Sequence, residues 1–163
     1  MAFGLPEVDD DGLHPDSDSG VPGYPATITD SVTQQLCRIA EAQLGPPPCT
    51  YVWVALGSQG RHEQSARSDQ DNALVLDNCA TEDYDDYFKA LARIVNDGLN
   101  DCGYVYCPGG VMAVNPKWRQ PLGTWKGYFN RWITVPEQKA LMHANIFFDL
   151  RCVAGNTKLV DEL

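Results

Sequence analysis

A single α/β (α+β) domain is the fold class this sequence predicts, on three observations. An apolar stripe of helical period precedes residue 45, two apolar β-type runs flank a glycine turn and an Asp-x-Asp pair, and a second amphipathic stretch reaches about residue 100. At 163 residues with 44% apolar side chains, the chain can bury one real core, and a split into two domains is not expected.

The first helix is expected from about Thr29 to Leu44. Val32, Leu36, Ile39, Ala40 and Leu44 recur at helical spacing, and Gly45-Pro46-Pro47-Pro48 cannot continue a helix. Residues 51–56 (Tyr-Val-Trp-Val-Ala-Leu) are rich in β-branched and aromatic side chains and end at Gly57, so they read as a buried strand. In the turn Gly57-Ser58-Gln59-Gly60-Arg61, the glycines permit close approach and positive φ. The backbone amides, the Ser58 hydroxyl and the Arg61 guanidinium together suit an anionic phosphate chain.

A second strand is expected to begin near Asp69 and run through Leu76. Strand periodicity puts Asp69 and Asp71 on one face, with Cα atoms roughly 6–7 Å apart. Two carboxylates so placed repel each other unless a cation lies between them. Hard oxygen donors suit Mg²⁺, or Mn²⁺ in its place, which completes its shell with water and substrate phosphates. The substrate implied is a nucleoside triphosphate.

Thr81 followed by Glu82 and Asp83 makes an N-cap and an acidic first turn for a helix through about Asn100. That helix buries Tyr84, Phe88, Leu91, Ile94, Val95 and Leu99, and Gly103 fits its C-terminal turn. Tyr104 to Cys107 read as a short strand entering the loop Pro108-Gly109-Gly110. Leu122, Trp125, Phe129 and Trp132 have helical spacing and read as core, and a last apolar strand is expected from Ala144 to Leu150 with Asp149 near its end.

The net charge of −10 is unevenly spread. Glu7, Asp9, Asp10, Asp11, Asp16 and Asp18 put −6 into residues 1–22, which hold no Lys or Arg, and leave −4 for the rest. Residues 1–26 therefore read as a flexible acidic segment and 27–163 as the folded domain, expected to be part of a longer multidomain protein. The mildly acidic remainder argues against a broad nucleic-acid surface but not against a nucleotide, whose charge is met locally. Cys37, Cys49, Cys79, Cys102, Cys107 and Cys152 form no C-x-x-C pair and no zinc spacing. With no signal peptide and no run near the ~20 apolar residues of a membrane span, free thiols in a reducing cytoplasm are expected. The terminal Val-Asp-Glu-Leu resembles a retention tag only superficially.

Gly57-Ser58 followed by Asp69-x-Asp71 resembles the signature of the nucleotidyltransferase superfamily that includes DNA polymerase β. More narrowly, the chain resembles the nucleotidyltransferase domain of bacterial signal-transduction proteins, itself similar to the N-terminal part of PII-protein uridylyltransferase. That likeness rests on Leu56-Gly57-Ser58-Gln59-Gly60-Arg61-His62-Glu63-Gln64 and Ser68-Asp69-Gln70-Asp71-Asn72-Ala73-Leu74. It continues through Cys107-Pro108-Gly109-Gly110-Val111-Met112, Asn115-Pro116-x-Trp118 and Phe147-Phe148-Asp149-Leu150-Arg151, over about residues 28–163. Gln70 and Asn72 depart from the wider superfamily, where those positions are usually apolar.

The resemblance implies a palm-like fold, a small mixed sheet flanked by helices, with Asp69, Asp71 and Asp149 as catalytic and metal-binding residues. Asp149 would act as a base and hold a second ion. Gly57, Ser58, Gly60, Arg61 and Arg67 would bind the phosphates, and Glu63 would orient Arg61 or metal-bound water. Asn115 and Trp118 would line the nucleotide pocket, whereas His62 and His143 read as structural. Attack of an acceptor hydroxyl, on an unidentified protein, at the α-phosphate would release pyrophosphate. Two other readings stand beside this: a nucleotide-sensing module placed among sensory domains such as CBS pairs, and a structural or dimerising domain.

Overall fold

The computed structural model describes residues 28–61, 69–78, 84–135, 142 and 145–163. The sheet is centred on two antiparallel strands, β1 (Tyr51–Ala55) and β2 (Asn72–Leu76), in register from Tyr51 opposite Leu76 to Ala55 opposite Asn72. β3 (Arg119–Pro121) extends β2 in parallel, and β4 (Arg151–Gly155) pairs antiparallel with β1, giving a four-stranded mixed sheet of order β3-β2-β1-β4.

The central strands are apolar throughout because they are covered on both faces. On one face Tyr51, Trp53, Ala55, Leu74 and Leu76 pack with Cys37 and Ala40 of α1 (Ile28–Leu44) and with Phe88, Leu91 and Val95 of α3 (Tyr84–Asp101). On the other, Val52, Val54, Ala73 and Val75 meet Trp118, Phe147 and the buried stripe Leu122, Trp125, Phe129 and Trp132 of α4 (Leu122–Thr134). Between β1 and β2 lies the single turn α2 (Gly57–Gly60), and α5 (Lys158–Asp161) closes the chain. No helix among the described residues is long and apolar enough to cross a membrane.

Four expectations need correction. The predicted strand at Ala144–Leu150 is absent where described: residues 145–147 are helical and 148–149 form a turn, while the strand is Arg151–Gly155. The helical turn carries Phe147 into the aromatic cluster, with ring centroids 4.6 Å from Trp118 and 5.1 Å from Trp132, a burial that an edge strand could not give it. Residues 104–107 are irregular, tied by the Gln70 amide donating to the Val105 carbonyl at 2.9 Å. β2 starts at Asn72 rather than near Asp69. In α1, Ala40 is buried and Val32, Leu36 and Leu44 pack against the core as expected, but Ile39 is exposed, and Thr29, Asp30, Thr33 and Cys37 share the buried face.

The inner face of α1 also carries an ion pair, buried on its Asp30 side. Arg151 donates from Nη1 and Nη2 to the two oxygens of Asp30 at 2.6 and 2.9 Å, so an acidic residue replaces an apolar one on the inner face. Burial, with the charge of Glu41 adding to it, pushes the Cys37 thiol up to about 12, which makes it a core residue without thiolate character. The N-cap expected at Thr81 and the segment 1–26 lie outside the described residues.

Candidate active site

Leu56 is extended (φ −127°, ψ 172°), and Gly57 then turns into α2 with φ +54°, a left-handed conformation that costs a side-chain-bearing residue about 1–2 kcal/mol. A Cβ at Gly57 would also lie only 2.7 Å from Oδ2 of Asp71. Glycine is therefore required twice over, by backbone conformation and by a carboxylate pressed against it. Gly57→Ala is expected to cost about 1–2 kcal/mol of stability and to push the Asp71 side chain out of place; equal chemical denaturation midpoints for variant and parent would refute this.

Inside the turn, the Gly60 amide donates to the Leu56 carbonyl at 3.0 Å and the Arg61 amide to the Gly57 carbonyl at 3.2 Å. Arg151 closes the turn from behind, donating to the carbonyls of Gln59 at 3.1 Å and Gly60 at 3.4 Å. Gly60 itself packs against the Asp149 carbonyl so closely that no side chain fits there. Ser58 is half-buried on this turn, and the buried Gln59 Nε2 has no hydrogen-bond partner among the described residues.

Asp69, Asp71 and Cys107 converge, with one ligand atom of each lying within 4.8 Å of the other two. Asp71 is half-buried, and its pKa is raised, first by burial and then by the charge of Asp69; the thiol of Cys107 donates to it and opposes the shift. Burial likewise raises the Cys107 thiol, the carboxylate of Asp71 contributing in the same direction. A half-buried carboxylate facing a second one is the condition a divalent cation relieves, so the two carboxylates fit a divalent cation.

The alternation that turns Asp69 and Asp71 toward this point turns Gln70 and Asn72 the other way, into the core. Gln70 Nε2 donates to the carbonyls of Asn96 at 2.9 Å and Tyr104 at 2.8 Å. Asn96 Nδ2 donates to Gln70 Oε1 at 2.7 Å and Asn72 Oδ1 at 3.0 Å. Asn72 Oδ1 accepts from the Ala113 amide at 2.9 Å, and Asn96 Oδ1 from the Val114 amide at 3.1 Å. The two positions that depart from the superfamily pattern are thus a buried polar clamp. With α3, it fixes the segment 104–114 that brings Cys107 to Asp71. Arg119, almost wholly buried, holds the same segment from beyond it, donating to the carbonyls of Ala113 and Val114 at 2.9 Å and to Oδ1 of Asp85 at 2.8 and 3.0 Å.

Asp71 and Cys107 also form part of the wall of a cavity of about 280 Å³, with Asn115, Lys117, Trp118, Met142 and Ile146 among its other lining residues. Lys117 Nζ stands 4.4 Å over the Trp118 ring, and Asn115 is occupied with its own loop, accepting from the Lys117 amide and donating to the Gly110 carbonyl. Asn115 and Trp118 therefore line the same cavity as Asp71.

The remaining expected residues are placed differently. Asp149 lies outside the Asp69–Asp71–Cys107 group and accepts from Arg61 at 3.0 Å, both side chains being partly exposed. Arg151, its neighbour two residues on, is taken by Asp30. Arg67, Glu63, His62 and His143 lie outside the described residues. Sequence reasoning missed Cys107 beside the carboxylates, and Asn96, Arg119 and Lys117 in the segments that surround them. Only the Cys-Pro-Gly-Gly loop, noted for its resemblance, signalled any of them.

A small mixed sheet with helices on both faces, a glycine turn after its first strand and an Asp-x-Asp pair leading into the second define a nucleotidyltransferase-like fold. The family described as putative nucleotidyltransferase DUF294 matches residues 19–139, and the chain belongs to it. That span includes the glycine turn, both aspartates, the clamp and Cys107, and ends before Asp149. No curated protein matches the chain.

Proposed function

We propose that this domain binds a nucleoside triphosphate together with a divalent cation and transfers the nucleoside monophosphate to a hydroxyl of a protein acceptor. The activity would be of the uridylyltransferase or adenylyltransferase kind, in cytoplasmic signalling and beside sensory domains in the same full-length chain. The observation that carries this reading is the placement of Asp71, with Asp69 beside it, against the Gly57 turn on one side and in the wall of a cavity that Trp118 also lines. Pockets for such ligands are commonly a few hundred cubic ångströms, largely apolar, with a few convergent polar groups.

In this scheme Asp69 and Asp71 would hold Mg²⁺ or Mn²⁺, which when bound neutralises triphosphate charge and acidifies the attacking hydroxyl. Trp118 and Ile146 offer the base an apolar surface. Ser58 and Arg61, with Arg67, receive the β and γ phosphates at the turn. The acceptor oxygen bonds to the α-phosphorus as the bond to the bridging oxygen of the β-phosphate breaks, and pyrophosphate leaves. Asp149 takes the hydroxyl proton once a phosphate has replaced it on Arg61.

The Arg61–Asp149 pair favours one competing reading, in which the domain binds nucleotide and signals without transfer. Calorimetric titration with each of the four nucleoside triphosphates, with and without Mg²⁺, is expected to give cation-dependent binding, and addition of cell extract to give pyrophosphate release. Binding without release would establish the sensing reading, and the absence of both would overturn the two together.

A further inference from the structure

The geometry points to Cys107 as a third, thiolate donor to the cation held by Asp69 and Asp71, giving the site a preference for Zn²⁺ or Co²⁺ over Mg²⁺. This rests on the proposed cation site and goes further in naming a ligand and the class of ion. Its sulfur and one oxygen from each carboxylate lie within 4.8 Å of one another, close enough for small side-chain rotations to bring all three onto one ion.

The thiol is not there by chance of a mobile loop. The Asn72 amide donates to the Val111 carbonyl at 3.1 Å, the Gly110 amide to the Cys107 carbonyl at 2.9 Å, and the Gln70–Asn72–Asn96 clamp anchors both ends of the loop. Chain geometry thus presents sulfur to the carboxylates from a segment distant in sequence.

Carboxylate and water suit Mg²⁺, whereas a thiolate selects borderline and softer ions. Two carboxylates and one thiolate also supply three protein donors, the number that catalytic zinc sites use while leaving a position for water or substrate. Asp71 and Cys107 both line the cavity, so an ion they held would border that space. On binding, Cys107 releases its proton to solvent and sulfur donates a lone pair to the ion; nothing is oxidised or reduced.

Titration of the full chain with Co²⁺ tests this. A near-ultraviolet thiolate-to-cobalt charge-transfer band is expected, saturating at one ion per chain. Cys107→Ser should abolish the band while leaving weaker Co²⁺ binding, and should lower the preference for Zn²⁺ over Mg²⁺ by roughly tenfold or more. In the parent protein, Zn²⁺ should also protect Cys107 from alkylation, read by peptide mapping, which does not depend on a variant folding. Saturable Co²⁺ binding without the band, a band that survives Cys107→Ser, or Cys107 alkylated equally with and without Zn²⁺ would each overturn the proposal. In those cases Asp69→Asn still separates the two readings: if it weakens Mg²⁺ or Co²⁺ binding the carboxylate site stands alone, and if it changes nothing that site fails too.

Discussion

Asp69→Asn combined with Asp71→Asn is expected to lower nucleotidyl transfer by roughly a thousandfold or more, because several kcal/mol of charge stabilisation at the triphosphate depend on the ion these carboxylates would hold. The same double variant, free of metal, should melt no lower than the parent. Burial and the charge of Asp69 hold the Asp71 pKa above its ordinary 3.8. Between that value and its folded-state pKa, the native protein binds more protons than the unfolded chain. The stability this group contributes is therefore complete below the unfolded value and is lost as pH rises through the folded one. Above its folded-state pKa the ionised Asp71 is a cost, which an amide removes while its oxygen still accepts from Cys107. Added cation should raise the melting temperature of the parent alone. A double variant that retains full transfer would sink the assignment, and one that melts several degrees lower without metal would make the carboxylates structural.

Asn96→Leu, close to isosteric, is expected to destabilise the fold by about 2–4 kcal/mol, on the order of 10 °C in melting temperature. Asn96 is fully buried and supplies partners to Gln70 Oε1, Asn72 Oδ1 and the Val114 amide. Leucine fills the space but leaves those buried groups short of partners. The loss should reach the cation as well, since the loop ending at Val114 carries Cys107. Differential scanning calorimetry and a metal titration on the same sample check both effects. A variant within 1 °C of the parent in melting temperature would show the clamp to be dispensable.

What could be read from the sequence was what repeats locally. β1, the inner part of β2, α3 and the α4 stripe of Leu122, Trp125, Phe129 and Trp132 follow from periodicity and from the residues that end them. The last strand misled because Ile146-Phe147-Phe148 is more apolar than Arg151–Gly155. Aromatic packing claims the first segment, and pairing with β1 claims the second. Asp69 and Asp71 were legible because their spacing alone puts them on one face. Cys107 was not, since cysteine spacing tests only cysteine against cysteine, and its partner here is a carboxylate reached through the fold. Gln70 and Asn72 registered as departures from a pattern, and their purpose needed Asn96 from a helix two elements away.

The contact between Arg61 and Asp149 gives the turn its own internal counter-anion. A phosphate arriving at Arg61 exchanges one anion for another rather than meeting a hydrated guanidinium. The exchange releases fewer bulk counterions and leaves a carboxylate to be rehydrated. Nucleotide affinity at this turn should therefore fall less steeply with salt than a count of its basic residues suggests. In place of that salt sensitivity, the turn gains selectivity for ligands whose charge exceeds what a single carboxylate already supplies.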